Sequence, residues 1–324
     1  MLILGLNGSP RKNGNTEYLV NTFLSEAEAL GAHTRLVKVC DKKIEPCREL
    51  MVCEKKGFCP LRDDMETDIY PLMRAADIIV IGTPIFFYST TAQLKALIDR
   101  SQTFWARKYR LNLTDPKGNR RKGFFLAVGA TKGKNLFEGV HLTMKYFYDA
   151  VGAEFAGSLT YRRIEHPGDI KKHPDVSGDI RNAVKSLVGP MLNRTKILFA
   201  CVENACRSQM ASAFAQMMAG DRIEAYSAGS RPAGRINAVM ADVMGEKGID
   251  MAYRIPTDLD AAVTRNPPDV IVNMGCGEAC PFIPGCRTIE WDIPDPAEKP
   301  VEVMRHVRDE IEKKVTELVR EIVT

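Results

Sequence analysis

Apolar stretches of strand length alternate with amphipathic helical stretches along this chain, and the alternation runs through twice. "MLILGLNG" reads as a buried strand, "TEYLVNTFLSEAEALG" as a helix and "HTRLVKV" as a second strand. "MRAADIIVIGTPIF" carries a helix end into a third strand, followed by the helical "TTAQLKALIDRSQTFW". "GFFLAVGAT" is a fourth strand, "LFEGVHLTMKYFYDAVGAE" a helix and "AGSLTYRRI" a fifth strand. The pattern then restarts with strands in "TKILFACVEN", "IEAYSAG", "PDVIVNMG" and "CRTIEWDI". Helices lie between them in "SQMASAFAQMMAG" and "NAVMADVMGEKG", and the long "VEVMRHVRDEIEKKVTELVREIV" closes the series. Apolar strands joined by helical crossovers predict parallel sheets covered on both faces. The fold class is therefore α/β, with two doubly wound parallel-sheet domains at 1–162 and 194–324. Segment 163–193, with "HPGDIKKHPDVSGD" and then a short helix, is read as a linker. A length of 324 residues suits that division, because a single core seldom grows beyond about 250–300 residues.

Composition narrows the function. Lys and Arg number 45 against 41 Asp and Glu, interspersed, for a net charge of +4. That balance argues against a dedicated nucleic-acid surface and leaves room for a small anionic substrate. The short apolar run at the N-terminus precedes its basic residues, the reverse of a signal peptide,. No apolar run approaches the roughly 18 residues of a membrane span. A cytoplasmic protein with reduced thiols is expected. The nine cysteines fall into two groups. Cys40, Cys47, Cys53 and Cys59 form one, and Cys201, Cys206, Cys276, Cys280 and Cys286 the other, which suggests two chemical tasks rather than a disulfide scaffold.

"CVENACRS", from Cys201 to Ser208, sits between an apolar strand and a helix. In that setting backbone N–H groups and the positive helix end converge on an anion. Arg207 can add a bidentate grip on two oxygens. The same field favours a thiolate at Cys201. Asn204 is placed to brace the loop and Ser208 to donate to the sulfur. "CVENACRS", "YSAG" at Tyr226–Gly229 and "DPA" at Asp295–Ala297 together resemble the low-molecular-weight tyrosine phosphatase fold, and more specifically its thioredoxin-coupled arsenate reductases. The resemblance covers the chain from Lys196 onward. It implies that Asp295 is the general acid for the leaving oxygen.

A hydrolase of this fold needs only water, whereas a reductase needs further thiols to attack the thiol–arsenate adduct. "NMGCGEACPFIPGC" supplies them directly after a strand. By the resemblance Cys276 is the resolving thiol and Cys280, ahead of a P-x-x-P turn, the terminal one. Phosphatases of this fold usually carry tyrosines after the aspartate–proline pair, where this chain has Ala297 and Glu298. The reductase is therefore expected over the phosphatase.

"GLNGSPRKNGNTEYL" offers Ser9, Arg11, Asn15 and Thr16 as donors at one helix start, suited to a terminal phosphate. "GTPIFFYSTTAQLKALIDR" and "VGATKGKN" follow the third and fourth strands, and loops at such strand ends converge on one crevice. In that order the three segments resemble the NAD(P)H-dependent FMN reductases and iron–sulfur flavoproteins of the flavodoxin-like fold. The resemblance implies that Ser9, Arg11, Asn15 and Thr16 hold the FMN phosphate. It places Pro84, Ile85, Phe86, Phe87 and Ser89 along the flavin ring, with Gly129 and Ala130 on the far side. Iron–sulfur flavoproteins carry a compact four-cysteine motif where this chain has Cys47, Leu50, Cys53 and Cys59. A four-iron cluster takes four thiolates, so no cluster or other metal is expected.

These expectations combine into an arsenate reductase fused to its own flavin reductase, with NADPH or NADH as electron donor. Thioredoxin or glutaredoxin is the alternative partner, and the flavodoxin-like resemblance implies a homo-oligomer. Two other readings stay open. One is a phosphatase with a redox-sensing domain, and the other an arsenate reductase whose flavin domain serves a separate substrate such as a quinone.

Overall fold

A computed structural model describes residues 1–118, 120–275 and 283–323. The chain divides into two units, Met1–Asn112 with Gly118–Leu192, and Leu113–Lys117 with Asn193–Thr324. The described strands of the first are β1 (Leu2–Asn7), β2 (His33–Lys38), β3 (Ile78–Pro84), β4 (Arg121–Gly129) and β5 (Ala153–Arg162). All neighbours pair in parallel, in the order β2-β1-β3-β4-β5. The direction of winding reverses between β1 and β3, so the loops leaving those two strands part and open a crevice at their carboxyl ends.

Burial on both faces explains the unbroken apolar character of β3, whose residues Ile78 to Thr83 are all buried. Helix Asn15–Ala29 covers one face with Leu19, Val20, Phe23, Leu24 and Ala27. It comes so close that a Cβ on Gly82 would fall 2.4 Å from Val20 Cγ2; only glycine allows that approach. Residues 163–192 also belong to this core. Helix Val176–Leu192 presents Val176, Ile180, Val184 and Val188, one face at helical spacing, and all four are buried against helix Asn15–Ala29 and its neighbours. The segment read as a linker thus contributes a layer to the first unit.

In the second unit β6 (Thr195–Cys201), β7 (Ile223–Gly229), β8 (Val270–Asn273) and β9 (Arg287–Glu290) run parallel in the order β7-β6-β8-β9. The reversal here falls between β6 and β8, so the loop after β6 stands at the switch point. Helices Arg207–Ala219 and Val301–Val323 share its core through Met210 and Phe214, and through Met304, Val307, Ile311 and Val315. Leu113–Lys117 joins this unit because the Thr114 N–H donates to Gly248 O at 2.7 Å and Thr114 O accepts from the Asp250 N–H at 2.8 Å. Among the described residues no helix is long and apolar enough to cross a membrane.

Candidate active site

Strand β6 ends at Cys201, 2% exposed, and helix Arg207–Ala219 begins six residues later. Between them the carbonyls of Cys201, Val202, Glu203 and Ala205 accept from the N–H groups of Ser230, Arg231, Ala233 and Asn237, at 3.2, 2.8, 2.9 and 3.1 Å. In a trans peptide the C=O and N–H point opposite ways. The loop therefore turns the N–H edges of these peptides away from segment 230–237, the arrangement of an anion nest. Gly229, the last residue of "YSAG", makes room for it. A Cβ there would lie 2.6 Å from Val202 O and 2.7 Å from Asn204 N.

Asn204 takes a left-handed backbone, φ 50°, which asparagine tolerates better than most residues. Its side chain is fully buried. Asn204 Oδ1 accepts from the Thr257 N–H at 2.8 Å, and Nδ2 donates to Ser208 Oγ at 2.8 Å. Ser208 Oγ lies 3.0 Å from Cys201 Sγ. Arg207 donates from Nη1 to Ile293 O at 3.1 Å and from Nη2 to Asp295 Oδ2 at 2.6 Å. Cys201, Asn204, Arg207, Ser208 and Asp295 are thus brought together as the motif implies. Cys206 faces the same core, and its thiol is pushed up to about 12 by burial, then by Asp295 and Cys201. It stays protonated at neutral pH.

Cys276 and Cys280 lie outside the described residues. The residue ahead of them, Gly275, follows β8 and passes beside the loop: a Cβ on it would be 3.2 Å from Arg207 Nη1. Cys286, next to β9, is half-buried. Sequence reasoning passed over Thr257, which acts through its backbone, and Gln209, a helix glutamine with no distinguishing context.

The loops after β1, β3 and β4 emerge at the same edge of the first sheet. Thr91 Oγ1 donates to Gly8 O at 2.6 Å and ties the first two together. Helix Asn15–Ala29 starts at Gly14 with no side chain capping its first turn, so its positive end suits an anion. The Ser9 hydroxyl accepts from the Arg11 N–H at 3.2 Å, Arg11 is exposed, and Thr16 is buried. Asn15 faces elsewhere. Its Nδ2 donates to His166 O at 2.9 Å and its Oδ1 accepts from the N–H groups of Gly168 and Ile170, at 3.0 and 3.3 Å. Its amide is committed to bracing residues 166–170.

Pro84 ends β3, and the Ile85 N–H donates to Val128 O at 3.0 Å. A tight turn follows, closed by the mutual backbone bonds of Phe86 and Ser89. Phe87 and Tyr88 adopt φ of 49° and 61°, and Phe86, Phe87 and Tyr88 are all exposed. Tyr88 leans on the loop after β4: its hydroxyl would be 2.4 Å from a Cβ at Gly133. Gly129 is buried at the end of β4, and Ala130 beside it is exposed. Exposed aromatic side chains after β3 and an uncapped helix start after β1, on loops at one edge of the sheet, fit a planar ring carrying a phosphorylated tail,.

The first cysteine group is arranged differently. The buried Arg100 donates from Nη1 to Glu45 O at 2.9 Å and to Asp63 Oδ2 at 2.6 Å, clamping both ends of segment 45–63. Within it Cys47 is exposed, Cys53 and Cys59 are half-buried, and Leu50 is 52% exposed. Burial pushes the Cys53 thiol up, with Cys59 adding to it. Cys40 is committed elsewhere, donating to Gly8 O at 3.6 Å. Among the described residues no group of three His, Cys, Asp or Glu is arranged to hold a metal ion.

The two folds and their sites define a protein with a flavodoxin-like unit followed by a thiol-based oxyanion unit. Residues 1–135 match the family described as NADPH-dependent FMN reductase. Residues 196–324 match that described as low molecular weight phosphotyrosine protein phosphatase. An arsenate reductase of Staphylococcus haemolyticus is 34% identical over 124 residues, 37% of this chain and 92% of the relative. An iron–sulfur flavoprotein of Methanocaldococcus jannaschii is 39% identical over 102 residues, 32% of this chain and 52% of the relative. The chain thus spans about half the length of that flavoprotein. The solved structure of a thioredoxin-dependent arsenate reductase from Corynebacterium glutamicum is 29% identical, covering 46% of this chain and 76% of the other at a TM-score of 0.36. Through its second unit the chain belongs to the arsenate reductases of the low-molecular-weight phosphatase family, joined to an FMN reductase-type domain.

Proposed function

We propose that this protein is an oxidoreductase that reduces arsenate to arsenite at Cys201, with electrons drawn from NADPH or NADH through FMN held by the first unit. The observation that carries it is the assembly of Cys201, Ser208, Arg207 and Asp295 around one anion-binding loop. The Cys201 thiolate bonds to arsenic(V) as one hydroxyl of dihydrogen arsenate leaves as water, its second proton passed on from the other hydroxyl by Asp295. Arg207 and the loop amides hold the remaining oxygens. Cys276 then attacks the Cys201 sulfur. The sulfur–arsenic bond breaks, its electron pair stays on arsenic, and arsenite departs. Two thiols have been oxidised to a disulfide and arsenic(V) reduced to arsenic(III). Exchange with Cys280 frees Cys201 and leaves a Cys276–Cys280 disulfide.

FMN, when bound, would supply two-electron transfer from the nicotinamide donor to a disulfide. Ser9, Arg11, Thr16 and the helix start would hold its phosphate. Pro84, Ile85, Phe86, Phe87 and Ser89 would flank its ring, with Gly129 and Ala130 opposite. Cys53 and Cys59 are thiols on the same unit that can pass the disulfide on. Joining the two units in one chain raises the effective concentration of each for the other.

The test is purified protein given arsenate and NADPH or NADH without thioredoxin or glutaredoxin. Arsenite formation that is lost in Cys201→Ser and Cys276→Ser is expected. No arsenite above background, with thioredoxin restoring turnover, overturns the internal relay and leaves the reductase. The phosphatase name of the matching family favours hydrolysis as the second reading. It requires aryl phosphate turnover that depends on Cys201 and survives Cys276→Ser.

A further inference from the structure

The loop is also held from behind. Gln209, Ser212 and Gln216 lie on one buried stripe of helix Arg207–Ala219. The half-buried Arg254 guanidinium lies across the stripe. Its Nε donates to Gln209 Oε1 at 2.8 Å, its Nη2 to Ser212 Oγ at 2.6 Å and its Nη1 to Gln216 Oε1 at 3.1 Å. Gln209 Nε2 in turn donates to Asn204 Oδ1 at 3.1 Å. From there the bonds run through Asn204 Nδ2 and Ser208 Oγ to Cys201 Sγ. An unbroken series of contacts joins Arg254 to the sulfur.

The series has a direction. A guanidinium and a backbone N–H can only donate. Arg254 therefore fixes Gln209 with its oxygen outward and its Nε2 toward Asn204. The Thr257 N–H fixes Asn204 with Oδ1 on its own side and Nδ2 toward Ser208. Ser208 accepts that bond, so its single proton is left for Cys201. Without Arg254, a flipped Gln209 would set its oxygen against Asn204 Oδ1 and push Asn204 out of register. The stripe is buried, so water cannot easily make good the loss.

We infer that Arg254, acting through Gln209, is a positioning residue for the chemistry at Cys201: it orients the bonds that make Ser208 a donor to the sulfur. The inference rests on Cys201 being the nucleophile proposed above, and adds two residues that no sequence motif marks. Arg254 is 45 positions from Gln209.

The experiment reads the sulfur directly and uses no arsenate, so a failure of the reductase reading leaves it intact. In the full chain, the pH midpoint for iodoacetamide alkylation of Cys201 is followed by mass spectrometry. Variants are Arg254→Met, Gln209→Met, Ser208→Ala and the Arg254→Met/Ser208→Ala double variant, with circular dichroism confirming the fold. Arg254→Met and Gln209→Met should each raise the midpoint by about one to two units, the worth of one hydrogen bond to a charged group. Ser208→Ala should raise it as well, and adding Arg254→Met in that background should change nothing further. An equal rise in both backgrounds would mean that Arg254 acts as a distant charge, and overturns the inference. An unchanged midpoint in the folded single variants does so too. Should Arg254→Met fail to fold, Arg254→Lys and Gln209→Met decide, because the lysine keeps the charge and loses the fork. A midpoint between wild type and Ser208→Ala is expected for Arg254→Lys, and wild-type midpoints in both variants overturn the proposal.

Discussion

Arg207 is already answered by a carboxylate. Asp295 Oδ2 stands 2.6 Å from Arg207 Nη2, with the arginine side chain 8% and the aspartate 55% exposed. An incoming oxyanion must share that guanidinium and approach a like charge. Solvent screens the exposed partner, so the pair is worth about 1 kcal/mol or less. Asp295→Asn should therefore tighten inhibition by phosphate up to about fivefold, while turnover falls with the loss of the general acid. A fall in turnover together with weaker phosphate inhibition would show that Asp295 shapes the loop rather than competes with the anion. The grouping of Cys201 with Arg207 was legible because a loop that grips an anion draws on few residues at fixed spacing, and that of Asp295 through the family resemblance. Gln209 and Thr257 were not, since their contribution depends on which segment folds back against the loop. Asn15 shows the opposite hazard. Placed at a helix start, it reads locally as a phosphate donor, yet its partners lie more than 150 positions away in residues 166–170.

Among elements, the cysteine segment 45–63 has little apolar content of its own to hold it. Its fold depends on the pairing of Arg100 with Asp63, side chains 0% and 5% exposed. Burial alone would raise the Asp63 carboxyl. Arg100 and the N–H groups of Glu45 and Met65 outweigh it and hold the carboxyl below its ordinary value. A depressed folded-state value means that this stabilisation is present above the ordinary aspartate range and is lost as pH falls through the lowered one. Arg100→Met leaves a buried carboxylate unpaired and should cost about 3–5 kcal/mol. Limited proteolysis should then cut within 45–63 at neutral pH, as it should in the wild type only under strong acid. Protection unchanged at neutral pH in Arg100→Met would show that another contact holds the segment. Strand and helix order was readable from periodicity, because buried parallel strands admit few polar residues. The place of helix Val176–Leu192 was not readable. Its apolar face is plain in the sequence, but the surface it covers, on helix Asn15–Ala29, lies at the other end of the unit.

At the scale of the whole molecule, each unit has a hydrophobic core of its own. Phe23 is buried in the first with Leu19, Val80 and Val184, and Phe214 in the second with Phe199, Val272 and Ile311. A hydrophobic core within each unit gives each the means to its own cooperative transition. Removing a buried phenylalanine side chain costs about 3–5 kcal/mol, which for units of this size is a fall of roughly 10 °C in melting temperature. Phe23→Ala should lower one calorimetric transition and leave the other in place, and Phe214→Ala should do the reverse. The transition moved by Phe214→Ala should be the one that arsenate or phosphate raises, since only the folded oxyanion loop binds the anion. FMN should raise the one moved by Phe23→Ala. A single transition lowered equally by both substitutions would mean that the units fold as one, and that the ligand of either stabilises the whole chain.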